Sequence, residues 1–239
     1  MSVLLVRLAG PMQSWGEYSR YNSRDTAKQP TKSGILGLLA AAQGRRRTDA
    51  IEDLVRLRFG VRTDQPGRVL KDFQTAHELD SDKSMPLTDR FYLSDAVFVA
   101  GVEGEPGIIS DLENALRSPR FALYLGRRAF VPTKDLTIGT MDVPLQQALT
   151  DHQWEASDWF RNRFRSKPYF ANVTVDAEGW TPLEGDAEER IQEERICDVP
   201  ISWDIEHREY GWRKVRRYQV PMRPMGTAAS TNHDPMGAL

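Results

Sequence analysis

One cysteine, Cys197, among 239 residues leaves no partner for an intramolecular disulfide. The four histidines (His77, His152, His207 and His233) are scattered, and with Cys197 they reproduce no zinc-ligand spacing. No metal and no cofactor is therefore expected. No run approaches the ~20 consecutive apolar residues that a membrane span needs. The first residues pass straight into a strand-like segment without the basic and apolar regions of a signal peptide, so a cytoplasmic, membrane-free address is expected. Catalytic signatures are missing too. Neither Gly-x-Ser-x-Gly nor His-Glu-x-x-His occurs, which removes support for hydrolase and zincin chemistry. Lys32-Ser33 at a helix start is the pair that closes a P-loop, but Thr31 and Thr26 stand where that loop requires glycine, so an NTPase is not expected. Glu78, Asp80 and Asp82 lack the glycine and terminal glutamate of a calcium loop.

What is present is a chain long enough, at 40% hydrophobic content, to fold around real cores. Its net charge is only -2, yet the charge is unevenly spread. Residues 1–75 hold thirteen Lys/Arg against seven Asp/Glu, whereas residues 176–209 hold three against twelve. One surface should attract phosphates and another repel them. Two further basic clusters stand out, Arg161, Arg163, Arg165 and Lys167, then Arg213, Lys214, Arg216 and Arg217. Each fits a polyanion-binding face and equally a solvated one.

Residues 3–8 read as a buried strand ended by Gly10-Pro11. A long polar connection follows over residues 9–30. Thr31 then caps a helix, apolar on most sides and ended by Gly44 beside three arginines. A short helix is expected at 49–57, strands at 59–63, 69–76 and 91–102, and a helix opened by the capping-box pattern Ser110-Asp111-Leu112-Glu113. Beyond residue 140 come a short helix at 144–149 and strands at 169–175, 196–202 and 211–220. This order predicts an α+β fold, a ferredoxin-like or RRM-like domain with an insertion.

Several residues are candidates for chemistry. Thr31, Lys32 and Ser33 at a helix N-terminus suit an anion such as a phosphodiester, or form an ordinary cap. His77 could act as acid or base at a ribose 2′-hydroxyl, or simply form hydrogen bonds. In Tyr124-Leu125-Gly126-Arg127-Arg128, glycine allows close backbone approach, tyrosine offers a stacking face and the arginines can clamp phosphates. A structural turn with solvated arginines fits as well.

Taken together, the segments Leu8-Ala9-Gly10-Pro11-Met12-Gln13-Ser14-Trp15-Gly16, Pro30-Thr31-Lys32-Ser33-Gly34-Ile35-Leu36-Gly37-Leu38-Leu39 and Tyr124-Leu125-Gly126-Arg127-Arg128 resemble the CasD family, a subunit of type I-E CRISPR Cascade. The resemblance reaches to about residue 220. It implies a modified RRM-like domain over 1–140 with a thumb at about 77–92, and a smaller β-rich C-terminal region over 141–220. Residues 221–239 would form a disordered tail without a counterpart. It also implies a non-catalytic, cytoplasmic RNA-binding subunit that grips the 5′ handle of the CRISPR RNA. Such a subunit caps a backbone of CasC-type subunits, lies near the Cascade large subunit and serves recognition of target DNA. A metal-independent endoribonuclease acting on precursor RNA is the alternative. In that frame Lys32, Ser33, Arg45, Arg127 and Arg128 would hold phosphates and Tyr124 or Trp15 would stack a base. His77, Arg90 and Tyr92 would form a wedge in the thumb, and Gln13, Arg24, Thr31, Leu125 and Gly126 complete the expected RNA-binding set. For Trp15, core packing remains an equal reading.

Overall fold

Strand β1 (Ser2–Ala9) shows why this chain forms a covered sheet. Its side chains alternate between two cores: Leu4, Val6 and Leu8 join one apolar cluster, while Val3 and Leu5 join another. A strand buried on both faces reads as a nearly continuous apolar run, which is how it was recognised. A computed structural model describes residues 1–16, 23–79, 84–181, 191–203 and 208–222 of the protein. Asp80, Asp82, His207, His233, most of the acidic segment from 182 and the tail from 223 lie outside the described residues.

The main sheet has seven strands in the order β10-β11-β9-β4-β7-β1-β8, every described pairing antiparallel. These are β4 (Arg58–Gln65), β7 (Val97–Gly104), β8 (Thr137–Met141), β9 (Tyr169–Asp176), β10 (Gln192–Ser202) and β11 (Glu209–Met222). Residues beyond 140 thus extend the same sheet through β9, β11 and β10. A second, smaller sheet centres on β6 (Thr88–Ser94). Strand β5 (Arg68–Gln74) lies along one side of it; β2 (Met12–Gln13) and β3 (Ser23–Arg24) pair with the other.

Helices α1 (Lys32–Gln43) and α3 (Pro106–Arg117) pack on the face that carries Leu4 and Val6. The caps of α1 lie where the sequence places them. The Thr31 side chain accepts from the Gly34 amide, and Gly44 closes the helix with φ 80°. Helix α3 starts five residues earlier than its capping-box pattern suggests, with Glu105 and not Ser110 at its N-cap. Pro106 sits at its first turn, where a fixed φ and a missing N–H cost nothing, and Ser110 is interior. Ile109, Leu112 and Leu116 form its buried stripe, each contributing about 1.5–3 kcal/mol relative to exposure. A short α2 (Glu52–Val55) precedes β4.

The opposite face is covered by α4 (Leu145–Asp151) and α5 (Asp158–Asn162). Two glycines paired across strands, Gly60 and Gly101, make room for α4. A Cβ on either would lie within 2.7 Å of a Leu149 or Leu145 methyl. The strand expected over 91–102 divides into β6 and β7. Asp95, with φ 54°, turns the chain from the small sheet into the large one.

Candidate nucleic-acid interface

The two glycine-bearing segments converge. Ser14 N donates to Leu125 O at 3.0 Å, Leu125 N to Phe130 O at 2.8 Å and Phe130 N to Arg127 O at 2.9 Å. Gly126 has φ 88°, and a Cβ there would stand 1.7 Å from Ser14 O. Only glycine fits both the conformation and the space. Helix α1 closes on the same seam, since a Cβ on Gly34 would touch the Trp15 ring at 2.9 Å.

Four residues expected on RNA, Gln13, Trp15, Tyr92 and Leu125, are built into this seam. Gln13 is fully buried; its amide donates to Leu8 O and Ala96 O, and its oxygen accepts from Trp15 Nε1 at 3.1 Å. Trp15 is 1% exposed and packs in the α1 core, so it cannot stack a base in this arrangement. Tyr92 is buried edge-on to Phe130 at 4.9 Å, and Leu125 is fully buried. The structure places the side chains of these four inside the frame and not on its surface.

The helix N-terminus is likewise occupied from within the fold. A carboxylate already fills the phosphate position, because Lys32 N donates to Asp198 Oδ2 at 2.8 Å. Lys32 Nζ is buried against Asp176 Oδ2 at 3.2 Å. Arg213 bridges the same two acids at 2.6 Å each, and Phe59 N donates to Asp176 Oδ2. Burial works against charge on Arg213, but the bonds to Asp198 and Asp176 hold its pKa above the usual guanidinium value. Thr31 serves as the cap, and Ser33 is half-exposed 3.4 Å from it. Arg45 grips Asp53 through two bonds of 2.5 and 2.6 Å and donates to Ala50 O, so it is no free clamp. Its hydrogen bond lowers the pKa of Asp53.

Beside this seam a trio of arginines is open to an anion. Arg24 and Arg90 are register partners in the parallel pair β3–β6. Like charges side by side on neighbouring strands destabilise a sheet unless something neutralises them. Arg127, carried by the Gly126 turn, has its pKa depressed chiefly by burial; Tyr92 lifts it in part, and it lies close enough to Arg90 and Arg24 that their repulsion lowers it further. Among the described residues, no carboxylate forms an ion pair with any of the three. Arg90 Nε is buried without a hydrogen-bond partner, and the acid across from it, Asp72, accepts from Phe73 N instead. Two pinned contacts place β3. Trp15 N donates to Thr26 Oγ1 at 2.9 Å and Ala27 N to Trp15 O at 2.8 Å. Arg128 is exposed and Tyr124 half-exposed beside the trio in sequence. His77 stands apart on the exposed stretch between β5 and β6, its Nδ1 3.1 Å from Ser84 Oγ.

Sequence reasoning missed the acid partners of Lys32 and Arg213 because they come from β9 and β10, up to 166 residues away. It missed the buried pair Arg62–Asp64 as well, where Arg62 also donates to the carbonyls of Leu149, His152 and Gln153. Alternation around Arg62 and Asp64 in β4 was the available signal. Among the described residues, no group of His, Cys, Asp and Glu could hold a metal ion, and no helix is long and apolar enough to cross a membrane.

The chain is similar to proteins of CRISPR systems. The chain is 38% identical over 176 residues to the CRISPR system Cascade subunit CasD of Escherichia coli (strain K12), covering 64% of this chain and 77% of the relative. A solved structure described as a Cas protein superposes with a TM-score of 0.71 at 35% identity, covering 94% of this chain and 98% of its own. A chain of a CRISPR RNA-guided surveillance complex gives 0.70 at 32% identity, covering 92% and 90%. These likenesses match the mixed α/β architecture with its large antiparallel sheet. A family model for CRISPR-associated protein (Cas_Cas5) matches residues 3–216, and the chain belongs to that family.

Proposed function

We propose that this protein is a non-catalytic CRISPR RNA-binding subunit of a Cascade-type surveillance complex, holding the 5′ handle of the guide RNA through Arg24, Arg90 and Arg127. The observation that carries the reading is the trio itself, three neighbouring guanidiniums without described ion-pair partners, one with an orphaned buried Nε. A phosphodiester would neutralise the repulsion and supply the missing acceptor. Arg128 and Tyr124 flank it, one for a further phosphate and the other for a stacked base. Gly126 keeps the backbone of the turn bare so that a strand can approach.

The remaining parts of the reading follow from the same frame. The order β1-α1-β4-β7-α3-β8, with β4-β7-β1-β8 side by side and both helices on one face, supports a ferredoxin-like or RRM-like core. The segment between β5 and β6 would be the thumb, with His77 on it. Phe73, Leu79, Met85 and Leu87 are exposed along this arm, apolar area suited to burial against a CasC-type backbone subunit on assembly. The name of the relative, a Cascade subunit, supports a place in a multi-subunit assembly, and a neighbouring large subunit and service to target DNA recognition complete the proposal.

The test is reconstitution with partner subunits and CRISPR RNA. Changing Arg24, Arg90 and Arg127 together to glutamate should lower RNA retention at least tenfold and flatten its salt dependence, by roughly 0.7 in logarithmic slope per lost phosphate. A triple variant that melts like the parent and keeps its RNA would refute the placement. Repeat RNA incubated with the purified chain in EDTA should stay intact; cleavage abolished by His77→Ala would refute the non-catalytic role.

A further inference from the structure

The basic cluster of residues 161–167 takes no part in the site above. It lies across the main sheet from the arginine trio. Phe160 of α5 packs with Val3 and Leu5 of β1, whereas Leu125 and Tyr92 pack with Leu4 and Leu8 on the other face. The base of the cluster is rigid. Trp154 stacks on Tyr169 at 5.1 Å and 6° between planes, and Phe160 and Phe164 pack edge-on or tilted around them. Trp154 Nε1 is tied to Asp64 O at 2.8 Å. Upon this base Trp159 stands 53% exposed, held edge-on by Phe160 at 5.7 Å, with the Arg163 guanidinium 5.5 Å from its ring. Lys167 Nζ lies 5.7 Å from the Phe164 ring. Arg163, Arg165 and Lys167 are exposed, and none has an ion-pair partner among the described residues. The acid of the helix, Asp158, is taken by Arg161.

We infer that this α5 surface is a second nucleic-acid site, which binds single-stranded polynucleotide through its phosphates and one stacked base, indifferent to the sugar. Exposed aromatic faces interleaved with unpaired cations are the elements that hold single strands without reading sequence. The one described side-chain amide oxygen in the cluster, that of Asn162, already accepts from Arg165 Nε at 3.0 Å. Phosphates and base faces are common to RNA and DNA, so contacts made through them alone do not read the 2′-hydroxyl by which proteins tell the two apart. A strand here would be separated from the arginine trio by the thickness of the sheet, so the two contacts are independent.

The experiment uses the full chain carrying R24E, R90E and R127E, so that binding at the first site does not mask the second. Fluorescently labelled oligo-dT and oligo-rU are titrated in low salt, with vesicles containing phosphatidylserine as a third arm. Both oligonucleotides should bind with similar affinity and quench tryptophan emission, and the vesicles should not bind. Adding R163E, R165E and K167E should weaken both at least tenfold and lower the logarithmic salt slope by about 2, at roughly 0.7 per phosphate. Trp159→Phe should keep most of the affinity and lose most of the quenching. Unchanged binding in the charge-reversed, normally melting variant overturns the inference, as does strong preference for one sugar or capture of vesicles in place of oligonucleotide.

Discussion

Arg213 and Arg127 are both shielded from water, yet their surroundings drive them in opposite directions. Arg213 sits between Asp176 and Asp198, and its pKa is raised despite burial; Arg127 has no acid paired with it among the described residues, and its pKa is lowered by burial first, with Arg90 and Arg24 adding to the effect. The first kind of arginine is consumed by the fold. Arg62 with Asp64, Arg7 with Glu155, Arg58 with Glu103 and Arg45 with Asp53 belong with it. The second kind is left with an unmet demand for negative charge. In a chain of 32 Lys/Arg and 34 Asp/Glu, it is local pairing and not net charge that separates structural cations from those free to meet a polyanion.

The strongest way to break the comparison is Asp176→Ala. It strips the buried Lys32 and Arg213 of a shared partner and orphans Phe59 N, so it should cost about 3–5 kcal/mol, read as a fall in the urea midpoint. A loss under 1 kcal/mol would put Arg213 with the unpaired group. A smaller effect is expected in acid. Burial opposes ionisation of Glu155, yet hydrogen bonds from His152, Arg7 and Gln153 hold its pKa well below the ordinary glutamate value. A carboxyl depressed in the folded state stabilises fully above its unfolded pKa of about 4.3, and that stability drains away as pH falls toward the folded value. Glu155→Gln should therefore flatten the decline in melting temperature below about pH 4.3; a parallel decline would disprove the linkage. The smallest effect belongs to Arg127→Gln. Removing a cation that its neighbours repel should shift stability by no more than about 0.5 kcal/mol, with either no change or a gain in the urea midpoint.

The same contrast explains what the sequence could disclose. Strand β1 was legible because alternate burial on two faces leaves a run of apolar residues, and α1 because Thr31 and Gly44 punctuate it locally. The division of residues 91–102 into two strands was not, since it depends on one positive φ at Asp95 within otherwise strand-like residues. Among the candidate contacts, Arg24 and Arg127 lie in polar or motif segments and Arg90 came from the resemblance; none of the three has an ion-pair partner among the described residues. Lys32 looked identical in sequence. Its fate is set by Asp176 and Asp198, and long-range partners of that kind are invisible without coordinates. Arg45 is the instructive intermediate, because its partner Asp53 is only eight residues away. Gln13 and Trp15 bond to each other, a local pairing that also hinted at burial.

The aspartate at the start of α1 has one more consequence. Asp198 belongs to β10, the outermost described strand of the main sheet, whose outer side pairs with no other described strand. One carboxylate therefore fastens both a helix end and a strand that could otherwise recruit a second chain. Losing it would register as self-association at the bared edge as much as fraying of the helix.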